Sequence, residues 1–374
     1  MKNNAVRGTN VIKLSQMVIN GENTKNAYMA GLYNGEPYVS GEQPGPGVVK
    51  LNTNENPYPP SPKVSEALGT AEVPKMRLYP DGDSAGLREA IAEILGVGTE
   101  NVFAGNGSDE VLALAYQAFF SGKDNILTPD ISYGFYPVWG DIYSVDSKIL
   151  PLKDDFTIDV SAYRDSNGVI IANPNAPTGI ALSLPDVEEI VRSNPNGVVI
   201  IDEAYIDFAG IESAIKLIGK YDNLLVVRTF SKSYSLAGLR VGFAVGEKSL
   251  ISALRMMKDA FNSYPLGYLA QTVGKVAILD VEHWECTRKK IMATRDETAA
   301  RLREMGFCVL DSQSNFLFVE TEDAKEMYDY LYANNILVRY WDRPRINRFL
   351  RVTIGTDAEM EAFLECIGKR TRLK

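Results

Sequence analysis

Histidine is nearly absent: the 374 residues contain one, His283. One imidazole cannot supply a multi-histidine metal site, an HExxH zinc motif or a serine–histidine pair elsewhere in the chain. Within VEHWECTRKK, a helical pattern, His283 reads as a surface or packing residue, and no metal site is expected. Cysteine is scarce as well. Cys286, Cys308 and Cys366 lie far apart with no CxxC, which excludes a disulfide framework and fits a reducing compartment. Positive charge is in deficit, and a net −9 argues against nucleic acid as the main partner. It leaves room for a small anion held by a few local cations. No apolar run approaches the roughly 20 residues that span a bilayer. The opening MKNNAVRGTNVIKLSQ has neither the apolar stretch nor the cleavage pattern of a secretion signal. A soluble, cytoplasmic protein without membrane or nucleic-acid partners is expected.

What is present is an ordinary globular composition, 45% apolar and 23% charged, so a sizeable core is available and disorder is excluded. The length exceeds one typical domain and predicts two packed units. Short apolar runs at Asn125–Thr128, Val169–Ala172, Val198–Ile201 and Leu224–Arg228 read as strands covered on both faces. Helical patterns fall between them at Glu110–Phe120, Pro185–Ser193 and Ser213–Tyr221. That alternation predicts an α/β layered domain with a mostly parallel sheet and right-handed crossovers. Beyond about Glu247 the texture turns to long helical patterns, one near Val276–Met305. Two later runs, Asn315–Glu320 and Phe349–Ile354, read as strands of a smaller α+β unit. The Gly- and Pro-rich stretch before Asn52 is expected to wrap over the main domain.

Ligands of such sheets gather at the carboxyl ends of the strands, and the unusual polar clusters all lie there. Val198–Ile201 runs into Asp202-Glu203-Ala204-Tyr205. A carboxylate at a buried strand end needs a cation. Asp202 is therefore a helix cap, a loop ion-pair partner, or the partner of a protonated heterocyclic nitrogen with Tyr205 beside it. Asn173-Pro-Asn-Ala-Pro-Thr-Gly179 is a rigid turn that can wall a planar ligand. Gly105-Asn-Gly-Ser-Asp109 precedes a helix whose first N–H groups suit an anion. The Asp109 side chain is expected to point away from that anion, leaving its N–H and Ser108 toward it. Tyr133, in DISYGFY, offers a ring for stacking.

RTFSKSYSLAGLRVGF, Arg228 to Phe243, places Lys232 just past a buried strand, where an ammonium loses hydration. Ser231 and Arg240 could join the helix end in holding a phosphate dianion. A ring with phosphate at one edge, a protonated nitrogen at the other and an aldehyde between them is pyridoxal phosphate. A lysine takes the aldehyde as a Schiff base and an aspartate holds the ring nitrogen. At about 4 Å and an effective dielectric near 20, that aspartate contact is worth on the order of 4 kcal/mol.

Taken together, LNTNENPYPP, RLYPDG, GNGSDE, ISYGFY, NPNAPTG, IDEAYIDF, RTFSKSYSLAGLRVGF and VRYWDRPRINRFLRVTIGT resemble the fold-type-I pyridoxal-phosphate aminotransferases, most closely the histidinol-phosphate branch. The resemblance spans about Tyr38 to Gly355 in the family's order. It implies a large α/β/α domain over 61–264, a smaller α+β domain over 265–374, and a segment 1–60 contributing to the small domain and to dimer contacts. It makes Lys232 the Schiff-base lysine, Asp202 the ring-nitrogen partner, Tyr205 a contact of the ring oxygen and Tyr133 the stacking residue. Gly107, Ser108, Asp109, Ser231 and Arg240 would hold the phosphate. Tyr79 would reach the phosphate in the neighbouring subunit, which implies a homodimer with shared sites.

By the same resemblance Arg339 and Arg351 would face the substrate's anionic group, with Tyr38 and Asn54 nearby. Where the family has asparagine before PTG, this chain has Ala176. Asn175, one residue early, stands as the candidate ring contact in that turn, although an unaltered turn would point it elsewhere. Trp341 is expected to be packing, and Arg343, Arg345 and Arg348 to be solvated or gating residues. The implied reaction moves the amino group of L-histidinol phosphate, a phosphorylated amino alcohol, to 2-oxoglutarate, giving imidazole-acetol phosphate and glutamate. Two related activities share the frame: aromatic amino-acid transamination and pyridoxal-phosphate-dependent decarboxylation of a phosphoamino acid. A non-catalytic ligand-sensing module is the remaining alternative, disfavoured by the acidic charge and the lack of a basic helix-turn-helix.

Overall fold

The computed structural model describes residues 38–372. Its strands in chain order are β1 (Val49–Lys50), β2 (Val102–Gly105), β3 (Ile126–Pro129), β4 (Ser147–Leu150), β5 (Gly168–Ala172), β6 (Val198–Asp202) and β7 (Leu224–Thr229). There follow β8 (Gly242–Gly246), β9 (Cys308–Val309), β10 (Phe316–Glu320), β11 (Ile336–Leu337), β12 (Arg339–Tyr340) and β13 (Phe349–Thr353). Seven form the main sheet, in the order β2-β8-β7-β6-β5-β3-β4. β4, β3, β5, β6 and β7 run parallel, while β8 is antiparallel to both β7 and β2. β2 therefore shares the parallel direction, and the carboxyl ends of six strands lie along one edge.

Each predicted strand forms, shifted by a residue or so, because its Val/Ile run is buried on both faces; β5, β7 and β8 are buried throughout. The helical stretches fare less evenly. The first is a helix at Gly107–Ala115 that ends in one π-helical turn, Tyr116–Phe120. Pro185–Ser193 becomes Leu184–Arg192, started by the Ser183 side chain accepting from Asp186 N–H. Ser213–Tyr221 yields only a tight turn, Ala214–Leu217, since Ile218 is extended and Gly219 takes φ +84°.

The long pattern at Val276–Met305 is two helices, Tyr268–Leu279 and Val281–Glu304, parted at Asp280. Asp280 leaves helical geometry, and its carboxylate instead accepts from Ser61 and Lys63. Val273, Ala277 and Ile278 of the first helix sit in the main-sheet core, so that helix packs with the large unit although it lies beyond residue 264.

The smaller unit has an antiparallel sheet, β12-β13-β10-β9, and a parallel pair, β1-β11. Its core joins Leu317, Val319, Leu350 and Val352 to Leu331 and Phe363 from the helices Ala324–Ala333 and Asp357–Arg372. Of the segment expected to wrap over the main domain, residues 1–37 lie outside the described residues. Tyr38 stacks on Phe135 of the large unit at 4.3 Å, but β1 and Leu51 join the small unit, and Leu51 is in its core. No helix among the described residues is long and apolar enough to cross a membrane.

Candidate active site

The ends of β2, β3, β5, β6 and β7 open onto a cavity of about 1180 Å³, closed on the other side by residues of β12 and β13. Asp202 terminates β6 and is 5% exposed. Its Oδ2 accepts from the Tyr136 hydroxyl at 2.9 Å and its Oδ1 from Ala204 N–H at 3.2 Å. Among the described residues no cation pairs with it. Burial pushes its carboxyl up to about 6, against the pull of the Tyr136 and Ala204 hydrogen bonds.

Lys232 follows β7 by three residues. Its Nζ reaches the Thr53 carbonyl at 3.2 Å and lies 5.6 Å from the centre of the Tyr205 ring. Burial, reinforced by the like charge of Arg351, pulls this amine down to about 8. Asn56 fixes the backbone below it, donating to the carbonyls of Lys232 and Ser233 at 3.1 and 3.2 Å. A buried acid that faces the cavity without a cation, and a buried amine poised near neutrality, are the pair a ring nitrogen and an aldehyde require.

At the other end of the sheet, the helix Gly107–Ala115 begins without a side-chain cap, so its first N–H groups remain available to an anion. Gly107 has φ +83°, a conformation that favours glycine, and the Arg240 guanidinium lies over it, its Nη2 2.5 Å from where a Cβ would stand. Arg240 itself is in the left-handed region at φ 56°, a conformation costing on the order of 1–3 kcal/mol and characteristic of functional positions. It donates to Ser231 Oγ at 3.4 Å. Ser108, Ser231 and Arg240 line the cavity together.

Asp109 does not turn away as expected. Its carboxylate accepts from Arg240 Nη2 at 3.0 Å and from the Tyr133 hydroxyl at 2.8 Å, because the guanidinium is the nearest strong counter-charge. The Asp109 side chain thereby links the Arg240 guanidinium to the Tyr133 ring.

Tyr205 packs edge-on against Phe316 and accepts from Asn54 Nδ2 at 3.0 Å. Its own hydroxyl hydrogen is left for the cavity. Asn54, expected beside the substrate anion, is buried and bound to Thr353 Oγ1 as well, so it braces Tyr205 and ties the small unit to it. In the NPNAPTG turn, Asn175 is occupied elsewhere: it accepts from Ser132 and donates to the Ile131 carbonyl and Thr178. Ala176 and Pro177, not Asn175, line the cavity. The predicted asparagine contact is replaced by a methyl group because the turn fixes that register.

Tyr38, Asn54, Arg339 and Arg351 all line the cavity. Arg339 donates to the carbonyls of Val39 and Ser40, and Arg351 to that of Asn52 at 2.7 Å. Arg351 Nε is buried without a partner. Tyr79 is 82% exposed and stacked on Tyr264, away from its own chain's cavity. Tyr136 and Asn56 escaped the sequence reading although both stood inside recognised motifs; a hydrogen bond to a neighbour's carboxylate or backbone leaves no periodic signal.

The residues present fit pyridoxal phosphate: an unpaired buried acid, an amine of lowered basicity, a flat aromatic neighbour and an uncapped helix end with an arginine. Fold and cavity together define a fold-type-I pyridoxal-phosphate-dependent enzyme. The chain belongs to the class I and II aminotransferase family, whose model matches residues 46–367. It is 51% identical over 336 residues to the histidinol-phosphate aminotransferase of Brachyspira hyodysenteriae, covering 89% of this chain and 95% of that one.

Solved folds agree. The histidinol-phosphate aminotransferase of Sinorhizobium meliloti, in complex with pyridoxal-5'-phosphate, superposes with a TM-score of 0.78 at 22% identity, over 86% of this chain and 90% of that one. The L-threonine-O-3-phosphate decarboxylase of Porphyromonas gingivalis does so at 0.76 and 21%, over 87% of this chain and all of that one. Architecture alone therefore does not select between transamination and decarboxylation.

Proposed function

We propose that this chain transfers the amino group of L-histidinol phosphate to 2-oxoglutarate, with pyridoxal phosphate held by Lys232, Asp202, Tyr205, Tyr133 and the Ser108–Ser231–Arg240 cradle. One observation carries the reading. A cavity with an acid–amine pair on its large-unit wall has two guanidiniums, Arg339 and Arg351, on the facing wall, and no carboxylate among the described residues pairs with them. That is a receptor for an anionic tail at a fixed remove from the reacting amine. The relative at 51% identity supports the phosphorylated amino alcohol over a plain aromatic amino acid.

When bound, the cofactor supplies an aldehyde for the amino group and a ring that accepts the electron pair left at the donor's Cα. Lys232 Nζ, with a pKa of about 8, exchanges protons readily near neutrality and can carry one from the donor's Cα. Asp202, held by Tyr136 and ionised above about pH 6, keeps positive charge at the ring nitrogen. Tyr205 stays a neutral donor because burial raises its pKa, and Asn54 fixes the direction of its hydroxyl. Arg351 and Arg339 orient the donor so that its Cα–H faces Lys232, which converts binding energy into alignment.

Tyr79 extends the proposal. It is exposed on its own chain, as a residue serving a second copy's site must be, which supports a homodimer; a sedimentation mass of one chain would remove it. The direct test of the reaction is half-transamination. Histidinol phosphate added alone to the holoenzyme should bleach the cofactor's imine absorbance stoichiometrically, and borohydride reduction of resting holoenzyme without donor should leave the label on Lys232. Bleaching by phenylalanine but not histidinol phosphate, or carbon dioxide release from threonine phosphate, would replace this reading with one of its two relatives.

A further inference from the structure

β12 and β13 pair so that Arg339 stands directly opposite Arg351 and both side chains leave the same face of the sheet. Like charges directly opposite oppose strand pairing. Arginine cannot escape by giving up its proton. Among the described residues neither guanidinium meets a carboxylate; their donors go to the carbonyls of Val39, Ser40 and Asn52. The next residue along the chain after β12, Trp341, faces both. Its ring centre lies 5.5 Å from Arg339 Cζ and 5.2 Å from Arg351 Cζ, and the indole lines the cavity.

Among aromatic side chains an indole face attracts a guanidinium most strongly. Trp341 also packs against a buried apolar cluster that runs from the main sheet to Phe318, Ile346 and Phe349, which holds the ring in place. Tryptophan here is thus more than the packing residue its sequence position suggests.

We propose that Trp341 is a positioning residue that holds Arg339 and Arg351 as one two-pronged receptor for a doubly charged phosphate monoester. A carboxylate is satisfied by the planar fork of one arginine, whereas a phosphate dianion has oxygens and charge for two. The indole keeps two cations side by side without a carboxylate that would compete with the ligand. Its loss lets the guanidiniums part, and the phosphate monoester suffers more than a carboxylate substrate does. This inference rests on the proposed reaction for its substrate, but not for its anion.

The experiment compares holoenzyme with Trp341→Leu and Trp341→Phe. The leucine variant should raise KM for histidinol phosphate about tenfold with kcat within about threefold, while KM for 2-oxoglutarate moves less than about threefold. Phenylalanine, which restores a ring face, should recover most of the loss. A second readout needs no turnover. Inorganic phosphate should raise the melting temperature of wild-type holoenzyme, whose cofactor cradle is already filled, and do so markedly less in Trp341→Leu.

Equal losses for both substrates, a fall in kcat alone, or an unchanged phosphate shift would overturn the proposal. Should Trp341→Leu fail to fold, Trp341→Met carries the same comparison. Absence of histidinol phosphate turnover by the wild type would defeat the reaction assigned above, while the phosphate shift would still decide the role of Trp341.

Discussion

The two walls of the cavity hold charge in opposite ways. On the large-unit wall Asp202 and Lys232 sit at the ends of buried strands, where apolar surroundings push each toward its neutral form, the acid up to about 6 and the amine down to about 8. On the small-unit wall Arg339 and Arg351 keep their charge, because guanidinium does not titrate in the useful range. They ride on β12 and β13, half-buried, against carbonyl oxygens and an aromatic face. The amine that must move a proton and the acid that must hold a cation are both buried, which brings their pKa values toward neutrality. Groups that must only attract are placed where their charge survives.

The sharpest break of this contrast is Asp202→Asn. Activity should fall by about 10²–10³, the range seen when one preorganised electrostatic contact is lost. The ligand-free protein should become more stable. The folded-state pKa of Asp202 is raised, so its favourable contribution is complete below pH 3.8 and is lost as pH rises through 6. Above that, burying the charge costs up to about 3 kcal/mol, which the amide avoids. Denaturant unfolding at pH 5 and pH 7.5 measures this; a variant no more stable than the parent at pH 7.5 would refute the account of the buried wall.

On the facing wall, Arg351→Met should raise KM for the phosphorylated donor by about 10- to 100-fold, the worth of a charge-assisted hydrogen bond. This loss should be the same across pH 7.5 to 9, since arginine stays charged and the phosphate monoester stays a dianion throughout. A penalty that disappears at one end of that range would show that the anion is read by a titrating group instead.

Smallest is Tyr136→Phe, predicted to lower kcat about threefold to tenfold, as loss of one buried hydrogen bond would. The hydroxyl lowers the pKa of Asp202, so its removal should move the acid limb of the kcat profile to higher pH. An unmoved limb with lower kcat would make Tyr136 a packing residue only.

Much of the buried wall was legible because its residues lie next to one another in sequence at strand ends. Val-Ile-Ile runs reveal the strand, and the polar residue that follows must emerge at the sheet edge. Lys232, Asp202 and Tyr133 were reached this way, and Arg240 from its place in the motif that carries Lys232. Asp109 and Asn175 fared differently, and Asn54 lines the cavity as expected but also braces Tyr205. Each lies in the right loop, but which way an amide or carboxylate turns depends on partners distant in the chain: Arg240 for Asp109, Ile131 for Asn175, and Tyr205 with Thr353 for Asn54. The helix near Val276–Met305 was read as continuous because periodicity does not register a carboxylate drawn out by Ser61 and Lys63.

The amino-acid order by itself determined the layered α/β sheet, the edge along which polar residues emerge and the kind of cofactor that edge can hold, since strand burial and turn chemistry are local properties. Tertiary structure alone decided that Tyr136 supports Asp202, that Asn54 supports Tyr205, and that Arg339 faces Arg351 across Trp341. Those outcomes follow from register and from contacts between units far apart in the chain. Cross-strand register and side-chain direction are settled by three-dimensional packing, which one-dimensional spacing does not encode.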